Sequence, residues 1–396
     1  MRSPRPYTAS ILAILAFTSS LALADQPATS SHNLGHSDIR TQQAARESAS
    51  GRTQELQSLY KRWQNAPAGE RAKLREQLLG KAEQRRQLLA ELAQSHPEEV
   101  LRVTMPTAKQ AGMPPEVAAK LEQQLELEGE LEVAYEDYEN GEHQLRHFLK
   151  TPFGERFELR LAKAQREWRS GLRVRAQGWL LESADAANAP VQGDLVVNDD
   201  DSGLLLLADG ATTSSAGSDL AYAMPNTLGA QRTLAILVNF QDAPGNQTWT
   251  TSQANSLLFG SGGVSDYFKE NSTQQTWLSG SVAGWYTIPL SSTVCDGFAI
   301  EQYAKSAAQA AGFNLTQYDR FVYIFPKNAC GYAGMAQVGA FPSSTWINGS
   351  MILHTVAHEL GHNLGLQHAH ALDCGDTTLG STCSSQAYGD TLDVMG

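Results

Sequence analysis

The apolar positions of this chain change rhythm twice. Leu56, Leu59, Tyr60 and Trp63 recur at i, i+3, i+4 and i+7, and Leu74, Leu78, Leu88, Leu89 and Leu92 continue the stripe beyond Pro67 and Gly69. Set among Glu, Lys, Arg and Gln, this spacing predicts amphipathic helices packed along one apolar seam. The period then shortens to two at Leu125, Leu127, Leu131, Val133 and Tyr135, and again at Phe157, Leu159 and Leu161, with Asn140-Gly141 as a turn signal between them. That alternation predicts strands, and Leu172, Val174 and the run Trp179 to Leu181 predict more. Further along, the continuous runs Thr233 to Phe240 and Phe321 to Phe325, the second stopped by Pro326, read as buried strands. Val264 to Glu270 and the Ala-rich Phe298 to Ala311 read as helices. Trp277 to Ile288, containing Gly280 and Gly284, reads as a hairpin or a bulged strand. The expected class is α+β: a helical segment, a small β module, then a mixed domain.

Charge places the boundaries. From Thr227 onward there are five basic and eleven acidic residues, against 25 and 31 before it. The stretch from Asp209 to Asn226, rich in Gly, Ser, Thr and Ala, reads as the linker between the two compositions. The expected organisation is a signal peptide over 1–24, a charged helical region over 25–124 that could be a propeptide, a β module over 125–208, the linker over 209–226, and a mixed α+β domain over 227–396. At the front, Arg2 and Arg5 precede the apolar stretch Ala9 to Ala24, which closes on Ala22-Leu23-Ala24. Charged, apolar and small residues in that order are those of an export signal, so the expected location is secreted or extracellular, or else periplasmic or at the cell surface. A formal charge of −12 argues against a nucleic-acid partner, and no apolar run reaches the length needed to cross a bilayer.

Four cysteines, Cys295, Cys330, Cys374 and Cys383, lie in the last part of the chain. In an exported chain they suggest two disulfides with three possible connectivities, and the expected pairs are Cys295 with Cys330 and Cys374 with Cys383. A four-thiolate zinc site is the competing arrangement, disfavoured because no Cys-x-x-Cys pair occurs.

One segment carries the chemistry: His358-Glu359-Leu360-Gly361-His362-Asn363-Leu364-Gly365-Leu366-Gln367-His368. Residues four apart on a helix stack on one face, so His358 and His362 offer two imidazole nitrogens to a single ion. A residue six further on cannot reach the same point along a continuing helix. Gly365 can take positive φ and end it, letting His368 return as a third ligand. Three neutral imidazoles leave Zn2+ an open position for water, and Glu359, beside the first ligand, is placed to act on that water as a base. Half of the ten histidines lie between His354 and His370. Among them His354 is read as a packing or surface residue, and His370 and Asp373 as loop residues ahead of a role behind the ligands. Asp390 and Asp393 are expected to hydrogen-bond turn backbone. Asn246, Asn271, Asn314 and Asn348 begin Asn-x-Ser/Thr sequons.

HExxHxxGxxH resembles the zinc signature of the metzincin clan of metalloendopeptidases, and Tyr388-Gly389-Asp390-Thr391-Leu392-Asp393-Val394-Met395-Gly396 resembles the clan's Met-turn. The helix sequence, the Tyr-Gly-Asp…Asp-Val-Met-Gly turn, the strand Phe321 to Pro326 and the segment Gly331 to Asn348 are similar to the gametolysin (autolysin) family. The resemblance covers about 227–396 and is weaker in front, where the β module is similar to segments preceding the protease domain in bacterial members. It implies a metzincin-like catalytic domain, a twisted mixed sheet plus an active-site helix, with Met395 as the apolar floor beneath the histidines. It also implies a zinc metalloendopeptidase acting on extracellular or cell-wall proteins or glycoproteins, and Gly334 to Val338 as an edge strand that receives the substrate as an added strand. An ordinary loop there is the equal alternative. Two departures qualify the match. The front half has no cysteine, so latency through a cysteine on zinc is excluded and a propeptide would have to use a carboxylate or steric blockage; the β module could instead be a retained accessory domain. The chain also stops one residue after Met395, which suggests a fragment. The rival classes are a secreted binding or wall-associated protein with an inactive, metal-stabilised domain, and a zinc hydrolase of a non-peptide bond.

Overall fold

The computed structural model describes residues 32–164, 166–182, 191–207, 226–377, 380 and 383–396. The expected signal peptide, and all but the last residue of the expected linker, lie outside the described residues. The chain divides into two compact units, 1–44 and 45–396. What is described of the first is the opening of helix α1 (His32–Gln64), and all that follows concerns the second.

The apolar seam of the front segment runs through α1 and α2 (Ala68–Ser95), followed by the short helices α3 (Pro97–Val103), α4 (Thr107–Gln110) and α5 (Pro115–Ala118). Leu56, Leu78, Ala82, Met105, Met113, Val117 and Leu121 pack as one buried cluster. Arg85 is buried there too, forked onto Glu122 at 2.6 and 3.0 Å and bonded to Thr53 Oγ1 and the Val103 carbonyl.

Six strands follow: β1 (Gln123–Asp137), β2 (His143–Lys150), β3 (Arg156–Ala162), β4 (Arg173–Glu182), β5 (Val191–Asn198) and β6 (Leu204–Leu206). The alternation signalled β1, β3 and β4. Nothing in that reading marked β2, β5 or β6. β1 is long enough to serve several neighbours. Its first half pairs with β4 and its second half with β2, so the pairings β1–β2–β3–β5–β4–β1 form a ring around Leu131, Val133, Leu149, Leu159, Trp168 and Val197.

The remaining strands continue the same sheet. β7 (Gly229–Phe240) lies parallel to β8 (Thr276–Ile288) and to β9 (Arg320–Phe325), and β9 lies parallel to β11 (Ser343–Asn348). β10 (Gly334–Gln337) is antiparallel to β11. β8 is a single strand with one register shift against β7, which settles the hairpin-or-bulge alternative. Helix α8 (Gly297–Ala310) covers one face, where Phe298, Ile300, Ala304, Tyr323, Phe325 and Trp346 meet. The other face is covered by α6 (Thr251–Phe259), α7 (Val264–Asn271) and α9 (Leu353–Asn363) through Leu258, Val264, Val322, Ile347, Val356 and Leu360. α6 was not anticipated, although its capping box, Thr250 with Gln253, is a sequence-level start signal. A two-stranded hairpin, β12 (His370–Asp373) with β13 (Ser384–Ala387), follows α9. Disulfides join Cys295 to Cys330 and Cys374 to Cys383.

Two expectations change. β10 is not an edge: Ala134 to Asp137 of β1 pair antiparallel with Gln337 to Gly334, so the eleven-stranded sheet runs unbroken from β6 to β8. Asn348 is fully buried, its side chain bonded to the Tyr332 carbonyl and to the Asn328 amide, and so offers nothing to a glycosylating enzyme.

Candidate metal centre

Helix α9 carries His358, Glu359 and His362, all buried. It ends at Leu364 with Gly365 at φ 94°. The Gly365 amide returns to the His362 carbonyl at 2.8 Å and the Leu366 amide to the Gly361 carbonyl at 3.1 Å, the pair of bonds of a Schellman turn. This turn brings His368 back against the helix: its Nε2 lies 3.2 Å from that of His362, and the three imidazole rings are 4.8 to 5.4 Å apart.

Backbone carbonyls fix the ring orientations. His358 Nδ1 donates to the Val394 carbonyl and His362 Nδ1 to the Leu366 carbonyl, each at 2.8 Å. With its proton held at Nδ1, a neutral imidazole presents a lone pair at Nε2, the form in which it binds a metal. Burial lowers the proton affinity of His362 and His368 and favours that neutral form.

Met395 is buried beneath the helix, where a Cβ built on Gly361 would come within 2.5 Å of its Sδ. The turn leading to it is held by Asp390 Oδ1, which accepts from the Leu392 amide, and Asp393 Oδ1, which accepts from the Met395 amide. The Met395 carbonyl in turn accepts from the Ala369 amide, tying this turn to the loop that carries His368.

Glu359 is buried with its carboxylate against Gly334, where any side chain would collide with it. Burial, and the negative charge of Asp137, push the Glu359 carboxyl well above the usual carboxylate range. Asn363, also buried, bonds through its side chain to the Gln337 and Ser344 carbonyls and to Ser343 and Thr345. It sets the helix at a fixed height over β10 and β11.

The sequence reading missed a fourth group. Asp137, the last residue of β1, puts Oδ2 3.3 Å from His358 Nε2 and from His362 Nε2, and Oδ1 3.0 Å from His368 Nε2. The four residues offer one ligand atom each within 4.8 Å of one another. Tyr388 adds a hydroxyl that bonds to Asp137 Oδ1 and lies 2.9 Å from His368 Nε2. Tyr135, two residues before Asp137 on the same strand face, packs its ring 4.7 Å from that of His362 and 4.2 Å from that of His368. Nothing in the sequence near Asp137 or Tyr135 marked them beyond their place in an alternating run. His354 is exposed with its ring 6.1 Å from that of His358, outside the cluster. His370 and Asp373 are exposed in the hairpin, where Asp373 bonds to the Gly375 amide and to Gln386.

The donor set suits a divalent cation. Three imidazoles and a carboxylate are borderline-soft and hard ligands of the kind zinc accepts. Asp137 Oδ2, His358 Nε2, Glu359 Oε2 and His368 Nδ1 are buried without a hydrogen-bond partner among the described residues. Lone pairs on Nε2 atoms and on a carboxylate facing one another in a buried site are unfavourable, and a divalent cation between them would relieve that.

Comparison with known proteins agrees with the motif. No curated protein matches the chain. Among solved structures, a chain from "Structure of a chaperone-substrate complex" is 18% identical with a TM-score of 0.29; the match covers 57% of the present chain, which spans 36% of that chain's length. Residues 232–396 match the model of the gametolysin peptidase M11 family, and the three histidines, Glu359 and Met395 all lie within the matched region.

Proposed function

We propose that the protein is an exported zinc-dependent endopeptidase, with His358, His362 and His368 as the metal ligands, Glu359 as the catalytic residue, and residues 227–396 as a metzincin-like catalytic domain. The observation that carries this reading is the convergence of three Nε2 atoms beside a buried glutamate on the same helix. A bound zinc ion would supply Lewis acidity toward a peptide carbonyl and would lower the pKa of water. The chain does the rest. Glu359 takes a proton from the attacking water and returns it to the leaving nitrogen. Gly334, lacking a side chain, leaves the Glu359 carboxylate room beside the strand on which a peptide would lie. With β1 withdrawn from β10, an extended substrate would bind that strand by main-chain hydrogen bonds, the general mode of strand addition. Met395 supports the histidine helix from below, and Gly365 makes the turn that delivers His368. Two disulfides support an oxidising destination, and no described helix is long and apolar enough to cross a membrane.

In a chain carrying Asp137→Ala and cut within 209–226 so that β1 can leave β10, the added substitution Glu359→Ala should keep one zinc per chain and lower hydrolysis of an unfolded protein by about two orders of magnitude or more. Unchanged hydrolysis removes Glu359 from the chemistry. A parent chain that binds no stoichiometric zinc removes the whole reading.

A further inference from the structure

We infer that the front β module is a built-in occupant of the peptidase site. Asp137 takes the open position of the histidine triad, and Ala134 to Asp137 take the place of a peptide on β10. The inference rests on the peptidase reading above and concerns how that site is kept closed.

The chemistry at the tip is that of a fourth ligand. The Nδ1 positions of His358 and His362 are committed to carbonyls, so their Nε2 lone pairs point at the Asp137 carboxylate. A divalent cation between them would reconcile those charges, and a carboxylate oxygen is a normal zinc ligand. With Asp137 as fourth ligand, a zinc ion held by the three histidines would have the position filled from which water could be offered to Glu359.

The strand behind the tip completes the blockage. Ala134 to Asp137 pair residue for residue with Gln337 to Gly334. The pairing continues past both ends: the Ala333 amide bonds to the Asp137 carbonyl and the Val338 amide to the Val133 carbonyl, each at 2.7 Å. β11 occupies the other side of β10, so β1 uses the single edge on which an extended substrate could add. Tyr135 lies over two of the three imidazoles.

The seat is built rather than incidental. Ala134 and Phe148 are members of the same buried core as Phe298, Met335 and Trp346. Arg156 lies 4.2 Å over the Phe298 ring, and Glu139 pairs with Lys327 at 2.9 Å. All four cysteines are spent in disulfides downstream, so a carboxylate does here what a thiolate would otherwise do.

The test uses the full chain loaded with cobalt(II), whose visible absorption reports the ligand set, and acetohydroxamate, which needs only the metal position and not the strand edge. Wild type, Asp137→Ala and Asp137→Asn are compared. The asparagine keeps the volume and the strand while removing the charge. The expected result is one cobalt per chain in all three, a cobalt spectrum that differs between wild type and the variants, and at least tenfold tighter hydroxamate binding in Asp137→Ala. One cobalt per chain with equal spectra and equal hydroxamate affinity in all three overturns the inference and leaves the peptidase reading standing. A wild-type chain that takes up no cobalt overturns both.

Discussion

Arg85 and Arg320 are both fully buried, and their surroundings answer the charge in opposite ways. Arg85, among the front helices, has a carboxylate partner in Glu122 that is as buried as itself. Arg320, at the start of β9, has neutral acceptors only within bonding distance: Gln231 Oε1, Ser343 Oγ, and the carbonyls of Asn226, Ala340 and Asn363. Burial accordingly pulls its pKa down to about 10. The contrast extends to the regions around them. The front is knitted by ion pairs, among them Arg146 with Glu136 and Glu158, Arg156 with Glu132, and Arg166 with Asp199. The rear sheet is held by continuous apolar strands between two layers of helix. A region organised by paired charges answers to pH and to the loss of one partner, whereas a region organised by packing answers to volume.

The largest effect should come from breaking the front pair. Arg85→Met leaves Glu122 buried with the Met105 amide as its remaining bond and should cost about 3–5 kcal/mol, measured by urea unfolding. Arg320→Met strands only neutral acceptors and should cost about 2 kcal/mol. Equal losses at the two positions would erase the distinction between the regions. A third test uses acid. His147, buried in β2 with Nε2 unpartnered among the described residues, has its pKa lowered to about 4 by burial, against the opposing charges of Asp199 and Glu158. The folded state thus binds the proton less readily than the unfolded chain. The neutral ring's stabilisation is complete above the ordinary histidine pKa near 6.5 and fades as pH falls from there toward 4. Between pH 7.5 and 5 wild type should lose about 2 kcal/mol more than His147→Met, and parallel pH profiles would remove His147 from the account. The smallest effect sits in the rear. Gly365→Ala places a Cβ at φ 94° and should cost about 1 kcal/mol of stability. It should weaken zinc binding more visibly than folding, because the turn delivers His368. Zinc affinity equal to wild type would show that the ligand reaches its place without the glycine.

What the sequence revealed and what it hid follow from distance along the chain. His358, His362, Gly365 and His368 lie within three helical turns of one another, so helix geometry and one glycine suffice to predict their convergence. Asp137 and Tyr388 are hydrogen-bonded yet separated by 251 residues, and each stands alone in its own segment. Their meeting depends on β1 pairing with β10, a long-range register that periodicity cannot specify. The same pairing turned an expected edge strand into an interior one. Strands with clean alternation or continuous apolar runs, such as β1, β7 and β9, were legible. β2 was not, because Gln144 and Arg146 face ion-pair partners and solvent rather than an apolar layer. The sequon at Asn348 was a chance match in a residue required for internal bonding.

The union of Ala134 to Asp137 with β10 also has a kinetic meaning. An occupant on the same polypeptide competes at an effective concentration on the order of millimolar, a value that dilution leaves untouched. On the inference above, dilution therefore does not free β10, and a competing extended peptide at micromolar levels loses the contest. Once the two parts are severed and separate, the competition becomes bimolecular, and the surrounding volume itself then favours the open form.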